Sequence, residues 1–259
     1  MLMSPELIIY ILIALFGILI GSFLNVCILR IPLKETVVTE RSHCMKCGYQ
    51  LKWYDLVPLV SWICLGGKCR KCKEKISKQY PIIEALNGIL WCIVFVNRGV
   101  EYNLRYDVTS LLYCLIVSAL LVLSVIDWRT YEIPYGCINF ILTVGLIHVI
   151  MDYSNWLQYV IGLFSVSLFL YLIYFFSKGR AIGGGDVLLM AGAGFLIGWK
   201  FIILALVLGC ILGSIIHIAR MKISGEDNVL AMGPYLSMGI FIAMLWGDKI
   251  INWYMGFYG

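Results

Sequence analysis

Long apolar stretches separated by short polar segments run along almost the whole chain. The hydrocarbon core of a membrane is about 30 Å thick, so an α-helix needs about 20 apolar residues to cross it. Eight stretches are that long or nearly so, and each predicts a transmembrane helix; they cover residues 7–29, 81–96, 108–126, 134–151, 156–176, 186–198, 201–219 and 229–246. The second and sixth are shorter than a full crossing, so their ends must include interfacial or protein-buried residues. The pattern therefore predicts an all-α, polytopic membrane protein with about eight transmembrane helices.

Composition agrees with this fold class. Hydrophobic residues make up 61% of the chain and charged residues only 14%, and the mean hydropathy is +0.91. A water-soluble protein of this length does not need so much apolar surface. The first six residues contain no Lys or Arg, and no evident cleavage site follows the first apolar stretch, so we expect a retained transmembrane helix rather than a signal peptide.

The positions of the basic residues predict the orientation. With the N-terminus outside, the outer segments contain only Arg98, Arg105, Lys200 and Lys249, and the other 16 of the 20 Lys and Arg residues lie inside. Cytoplasmic loops are enriched in Lys and Arg, so this bias favours that orientation. The net charge of +5 is thus explained by membrane topology, and we expect the lipid bilayer, not nucleic acid, as the surrounding partner.

One sizeable polar loop, residues 30–80, follows the first predicted helix and carries two Cys-x-x-Cys pairs. They are Cys44 with Cys47 and Cys69 with Cys72, separated by 21 residues. Four thiolates at this spacing suit a tetrahedral zinc ion, because each tight turn offers two sulfurs. Disulfides are disfavoured on the cytoplasmic side, and two matched pairs disfavour a redox pair. His43 is an alternative ligand, although four cysteines complete the shell.

Two aspartates stand at the ends of apolar stretches. Asp127 ends one stretch, and Asp186 begins another directly after Gly183, Gly184 and Gly185. Two carboxylates brought together share one proton, so that one acts as base and the other as acid in the hydrolysis of a peptide bond. Glycine would let an extended peptide approach Asp186 closely. From the pair alone, a proton- or cation-coupled transporter with relay carboxylates is an equal alternative.

Other residues in apolar stretches are expected to be structural. Gly17 and Gly21 in the first stretch, and Gly209 in the seventh, are predicted to be helix-packing sites. Glu84 begins the second stretch, where it is expected to cap the helix or to contact the zinc loop.

Several short motifs, taken in order, resemble the type IV prepilin peptidase family from near one end of the chain to the other. They are GSFLNV at 21–26, RIP at 30–32, RSHC at 41–44, SKQYP at 77–81, ID at 126–127, IP at 133–134, GGGDV at 183–187 and MGPYL at 232–236. The chain departs from the family's pattern at Tyr135, where Asp or Asn is common, and at Leu188, where Lys is common.

The resemblance implies a membrane aspartic endopeptidase of a prokaryotic cell (inner) membrane. Its substrates would be prepilins or pseudopilins, cut at the cytoplasmic face, usually after Gly, and then N-methylated with S-adenosylmethionine as methyl donor. Asp127 and Asp186 match the catalytic aspartates of the family, and the four cysteines match its zinc motif. Residues 1–80 would form the region linked to methyl transfer, and residues 81–259 the peptidase domain. No residue is assigned to S-adenosylmethionine.

Overall fold

The computed structural model describes residues 5–99, 103–224 and 230–257, and in these residues it is built from α-helices without any strand. The helices are α1 Pro5–Arg30, α2 Val60–Cys64, α3 Gln79–Arg98, α4 Leu104–Thr130, α5 Tyr135–Met151, α6 Trp156–Ser177, α7 Gly184–Ile197, α8 Trp199–Ser224 and α9 Gly233–Met255. Single 3-10 turns lie at Trp53–Asp55 and Tyr153–Asn155. The predicted all-α class is confirmed.

Five helices in the described residues are long and apolar enough to cross a membrane, namely α1, α3, α4, α6 and α8. The second predicted stretch was too short, because α3 has 20 residues and reaches the length of a full crossing. α5 and α7 are apolar but shorter. The eighth predicted stretch begins at residue 229, outside the described residues, and its helix is Gly233–Met255. The count of eight crossings stays a prediction.

The chain forms two compact units, residues 1–103 and 104–259. In the first unit α1 packs along α3 through glycines on both helices. A Cβ on Gly17 would lie 2.9 Å from the Cα of Gly88, and one on Gly21 would lie 2.7 Å from the Cα of Glu84. Buried amides strengthen this contact, since the Asn87 Nδ2 donates to the carbonyl of Gly17 at 2.7 Å. The predicted packing role of Gly17 and Gly21 is confirmed.

In the second unit α7 lies at the centre, in contact with α5, α6, α8 and α9. Its side chains Leu189, Met190, Ala193 and Leu196 are at most 1% exposed. By contrast, α6 exposes many large apolar side chains, including Phe164, and a helix face of this kind is suited to lipid rather than to water. The short helix α7 is therefore enclosed by protein, which explains how it can be shorter than a full crossing.

Candidate active site and cysteine cluster

Asp127 lies in the last turn of α4 and is only 4% exposed. Its Oδ2 accepts a hydrogen bond from the backbone N–H of Gly233 at 2.9 Å. Gly233 is the first residue of α9, where backbone N–H groups have no partner within their own helix. The end of α4 and the beginning of α9 thus meet at this carboxylate.

Asp186 lies in the first turn of α7, with Gly183 as the N-cap residue. The N-terminal end of a helix favours a negative side chain. Asp186 interacts electrostatically with Asp127, so the structure brings together the two aspartates that the sequence singled out. The Oδ1 of Asp186 is buried and makes no hydrogen bond.

Of the three glycines before Asp186, two lie where a side chain would be crowded, and none adopts a special backbone conformation. None of them has a positive φ. A Cβ on Gly185 would lie 2.8 Å from the Cβ of Ile133, and one on Gly183 would lie 3.1 Å from the Oδ2 of Asp186. A Cβ on Gly184 would make ordinary contact with Tyr174 at 3.7 Å. Glycine therefore lets the segment that precedes α5 pack closely against the start of α7, beside the carboxyl group.

The four cysteines of the loop converge on one point. Their sulfur atoms all lie within 4.8 Å of one another, and two of the separations are 3.8 Å for Cys44 to Cys72 and 4.0 Å for Cys47 to Cys69. A zinc ion with Zn–S bonds of about 2.3 Å requires sulfur separations of about 3.8 Å in a tetrahedron. The cluster therefore has the dimensions of a tetrahedral zinc site.

The two halves of the cysteine cluster repeat the same fold with an offset of 25 residues. In the first half, the N–H of Gly48 donates to the carbonyl of Cys44 at 2.9 Å, and an isolated bridge joins His43 to Gln50. In the second half, the N–H of Lys73 donates to the carbonyl of Cys69 at 3.0 Å. Gly48 and Lys73 both have positive φ, 67° and 60°. Each Cys-x-x-Cys pair is therefore a tight turn that aims two sulfurs at the same point.

Electrostatics in the cluster favour a bound cation. Hydrogen bonds from the backbone of Cys47 and Lys46 lower the pKa of Cys44 to about 6. A backbone hydrogen bond from Glu74 acts to lower the pKa of Cys72, but partial desolvation and hydrogen bonds with the other three cysteines outweigh it and raise the pKa to about 11. A positive ion at the centre of the cluster would favour the thiolate form of the cysteines. His43 bonds to the carbonyl of Arg41 and is not part of the cluster.

A buried carboxylate that the sequence analysis missed joins the two turns. Asp55 accepts a hydrogen bond at 2.7 Å from Arg70, which lies between the second pair of cysteines, and two at 3.2 Å from Tyr49 and the N–H of Lys52. Partial desolvation acts to raise the pKa of Asp55, but these bonds outweigh it and hold the pKa below its usual value. An Asp beside an aromatic pair in a basic loop gives too weak a pattern to predict this contact.

The loop is also tied to α3. Glu84 is 6% exposed, and its Oε2 accepts a hydrogen bond from the N–H of Leu59 at 2.7 Å. Leu59 directly precedes α2 and has a φ of 59°, which is unusual for a leucine. The expected contact between Glu84 and the zinc loop is confirmed.

Comparison with known proteins agrees with these features. A family model described as Bacterial Peptidase A24 N-terminal domain matches residues 15–98, and one described as Type IV leader peptidase family matches residues 114–218. A Prepilin leader peptidase/N-methyltransferase of Legionella pneumophila is 28% identical over 96% of this chain and 95% of that protein. The proteins of the same name from Pseudomonas aeruginosa and Bacillus subtilis are each 28% identical, over 95% and 93% of this chain and 93% and 96% of their own lengths. No solved structure matches.

Fold and site together define a polytopic membrane protein that has a buried carboxylate pair in one unit and a four-cysteine cluster in the other. The chain belongs to the type IV leader peptidase family. The resemblance seen in the sequence motifs is thereby confirmed, and the transporter alternative receives no support.

Proposed function

We propose that this protein is a membrane aspartic endopeptidase that removes the leader of type IV prepilins or pseudopilins. The observation that carries the proposal is the position of Asp127 and Asp186 at the ends of apolar helices, near enough to interact electrostatically, in a chain of the leader peptidase family. The relatives that it matches over nearly their whole length are named as prepilin leader peptidases. Cleavage usually after Gly is carried over from the resemblance.

The proposed chemistry needs only the two carboxyl groups and water. The ionised aspartate takes a proton from a water molecule as its oxygen attacks the carbonyl carbon of the scissile bond. The protonated aspartate donates its proton to the developing oxyanion. As the C–N bond breaks, the proton taken from water passes from the base to the departing amine, and the hydroxyl proton of the intermediate returns to the other aspartate. Two close carboxyl groups hold one proton over a useful pH range, because both cannot ionise comfortably in a site that excludes water.

Gly183, Gly184 and Gly185 form the proposed substrate-facing segment. Gly183 is exposed, and it precedes Asp186 in an extended conformation with φ −72° and ψ 144°. A segment with no side chains leaves room for the backbone of a substrate beside the carboxyl group. The same segment supplies the start of α7, which favours negative charge developing nearby.

The four-cysteine cluster is proposed to hold one zinc ion through Cys44, Cys47, Cys69 and Cys72. Four sulfur ligands leave no open position for water or substrate, so the ion would stabilise the fold of the loop and take no part in hydrolysis. The hydrogen bonds of Asp55 add to this by connecting the two turns.

N-methylation of the new N-terminus is the second activity that we propose. It rests on the printed names of the relatives, which include N-methyltransferase. S-adenosylmethionine would supply the methyl group, and no residue of this chain is assigned to its binding. The first unit, which includes the cysteine cluster, is proposed to be the part involved.

We also propose that both aspartates face the cytoplasm. The basic residues place the loop of residues 30–80 inside, and the ends of the apolar stretches at Asp127 and Asp186 then lie on the same side. A prepilin leader that is short and basic would be held on that side by the same charge rule. The scissile bond would therefore meet the enzyme at the membrane surface and not at the middle of the bilayer.

The proposal is tested with purified protein in detergent and a synthetic or purified prepilin. The expected product is a pilin that lacks its leader, with its N-terminus determined by mass spectrometry. Asp127→Asn and Asp186→Asn should each abolish cleavage while leaving expression near normal, because asparagine keeps the shape but cannot exchange the proton. Substantial cleavage by either variant would reject the carboxylate pair. Addition of S-adenosylmethionine should add one methyl group to the product.

A further inference from the structure

The hydrogen bond between Gly233 and Asp127 joins a backbone group to a side chain 106 residues away. Such a bond is buried and charge-assisted when the carboxyl group is ionised, so it favours the charged form. In the proposed hydrolysis one of the two aspartates is the base and the other is the acid. The surroundings of the two carboxyl groups differ, and this difference favours one assignment of the two roles.

Gly233 also leaves no room for any side chain. A Cβ at this position would lie 2.7 Å from the Oδ2, 3.1 Å from the Cγ and 3.2 Å from the Cβ of Asp127. A residue with a Cβ could therefore keep its N–H at this carboxyl group only if the side chain of Asp127 moved. The φ of Gly233 is not positive, so the requirement for glycine here comes from Asp127 and not from the backbone conformation.

The carboxyl group of Asp186 is only partly supported. The N-terminal end of α7 and a backbone hydrogen bond from Gly183 favour its negative charge, but its Oδ1 is buried and has no hydrogen-bond partner. A buried carboxylate oxygen without a donor is costly. If Asp186 carries the shared proton on Oδ1, this atom becomes a donor that can bond to the other carboxyl group or to a substrate carbonyl.

On α4 itself, the charged residue nearest in sequence to Asp127 is the exposed Arg129. α5 contains no Asp, Glu, Lys or Arg, and the first such residue in α9 is Asp248. From α8, the guanidinium of Arg220 lies over the ring of Trp128, with its Cζ 4.1 Å from the ring centroid. Asp186 of α7 remains the titratable group that interacts with Asp127.

We infer that Gly233 is a positioning residue whose N–H fixes Asp127 as the ionised base of the pair and leaves Asp186 as the protonated acid. The inference deepens the proposed peptidase function and rests on it. It also gives a physical role to the MGPYL motif at 232–236, because this motif begins the helix whose first N–H contacts the base.

The test compares Gly233→Ala with Gly213→Ala in the full-length protein. Gly213 lies on α8, and a Cβ there would meet the ring of Tyr235 on α9 at an ordinary 3.4 Å, so this control adds a methyl group against the same helix without touching a carboxyl group. We expect Gly233→Ala to lower kcat about tenfold to a hundredfold with KM nearly unchanged, as for a lost hydrogen bond to a charged group. Gly213→Ala should stay within about twofold of wild type, because it touches no reacting group.

The pH profile separates a positioning role from a general loss of structure. In the wild type, the acidic limb of kcat/KM reports protonation of the base. Loss of the N–H contact should move this limb to higher pH in Gly233→Ala and leave the alkaline limb in place. An unchanged kcat and an unchanged acidic limb in a variant that folds would overturn the inference. Absence of cleavage by the wild type would instead overturn the proposed function itself.

An infrared measurement tests the assignment even if Gly233→Ala fails to fold. Near neutral pH, the carbonyl stretch of a protonated carboxyl group should be present in the wild type and in Asp127→Asn. It should be lost in Asp186→Asn, because Asp186 carries the proton. Loss of the band in Asp127→Asn with its retention in Asp186→Asn would reverse the roles and overturn the inference.

Discussion

The backbones of α6 and α7 approach each other closely at Gly162 and Gly194. A Cβ added to Gly194 would overlap the carbonyl oxygen of Gly162 and lie 2.7 Å from its carbonyl carbon. A Cβ added to Gly162 would overlap the carbonyl oxygen of Gly194 in the same way. The two helices can pack at this distance only because neither has a side chain at the crossing.

We predict that Gly194→Ala destabilises the protein by about 3 kcal/mol, the upper end of the usual cost of overpacking. The upper end applies because the clash is with backbone, which cannot rotate away as a side chain can. Relief requires the helices to separate by about 1 Å. Asp186 lies eight residues earlier on the same helix, about 12 Å along its axis, so the shift would also displace the proposed acid. A displacement of 1 Å can lower a rate about a hundredfold.

The measurement is unfolding of the purified protein in detergent, combined with the rate of prepilin cleavage. Gly136→Ala is the matched control, because a Cβ at Gly136 in the first turn of α5 has no atom within 4 Å. Alanine is the better helix former, so this control should be neutral or more stable by up to about 1 kcal/mol. Equal stability of Gly194→Ala and Gly136→Ala would refute the argument from close packing.

Three further predictions concern the cysteine cluster, the turn between α5 and α6, and the topology. Cys72→Ser should remove the single zinc ion and make the loop sensitive to proteolysis, whereas Cys64→Ser, outside the cluster, should retain the ion. The measurement is metal analysis of protein purified without chelator. A wild-type protein without zinc would count against the site. Burial acts to raise the pKa of Asp152, but hydrogen bonds from Tyr159 and Asn155 and the charge of Arg105 hold the pKa below its usual value. The stabilisation is therefore fully present above the usual pKa of an aspartate and is lost as the pH falls through the lowered pKa, so the melting temperatures of wild type and Asp152→Asn should differ at neutral pH and converge in acid. If the basic residues of a prepilin are moved from its leader to the segment after the apolar helix, its orientation in the membrane should be inverted. This substrate should escape cleavage in cells but be cut in detergent. Cleavage in cells of a substrate shown by labelling to be inverted would contradict the cytoplasmic placement of the aspartates.

Features carried by spacing along the chain could be predicted from the sequence. The two Cys-x-x-Cys pairs lie close in sequence, and the short turn fixes where their sulfurs point, so a cluster follows from the pattern. Apolar stretches likewise predicted where helices occur, because hydropathy measures the environment that a helix can tolerate. The length of α3 was underestimated, since Gln79, Asn97 and Arg98 at its ends are polar and hydropathy does not report them as helical.

Contacts between distant residues could not be predicted in the same way. The pairing of α1 with α3 depends on Gly17 meeting Gly88, and apolar helices of similar composition give no pattern that selects one partner over another. The contact of Gly233 with Asp127 is made by a backbone N–H, which every residue except proline possesses. The sequence places Gly233 in a short motif, but it does not show that a carboxyl group fills the space beside this residue.

The carboxylate pair lies at helix ends for a physical reason. In the middle of an apolar helix each backbone N–H is already bonded to a carbonyl, so none is free to hold a negative charge in a medium without water. The first turn of a helix has unbonded N–H groups and the positive end of the helix dipole. Asp186 lies in the first turn of α7, and Asp127 at the end of α4 receives the N–H of the first residue of α9. A membrane protein that needs one ionised and one protonated carboxyl group can therefore build the pair where helices begin and end.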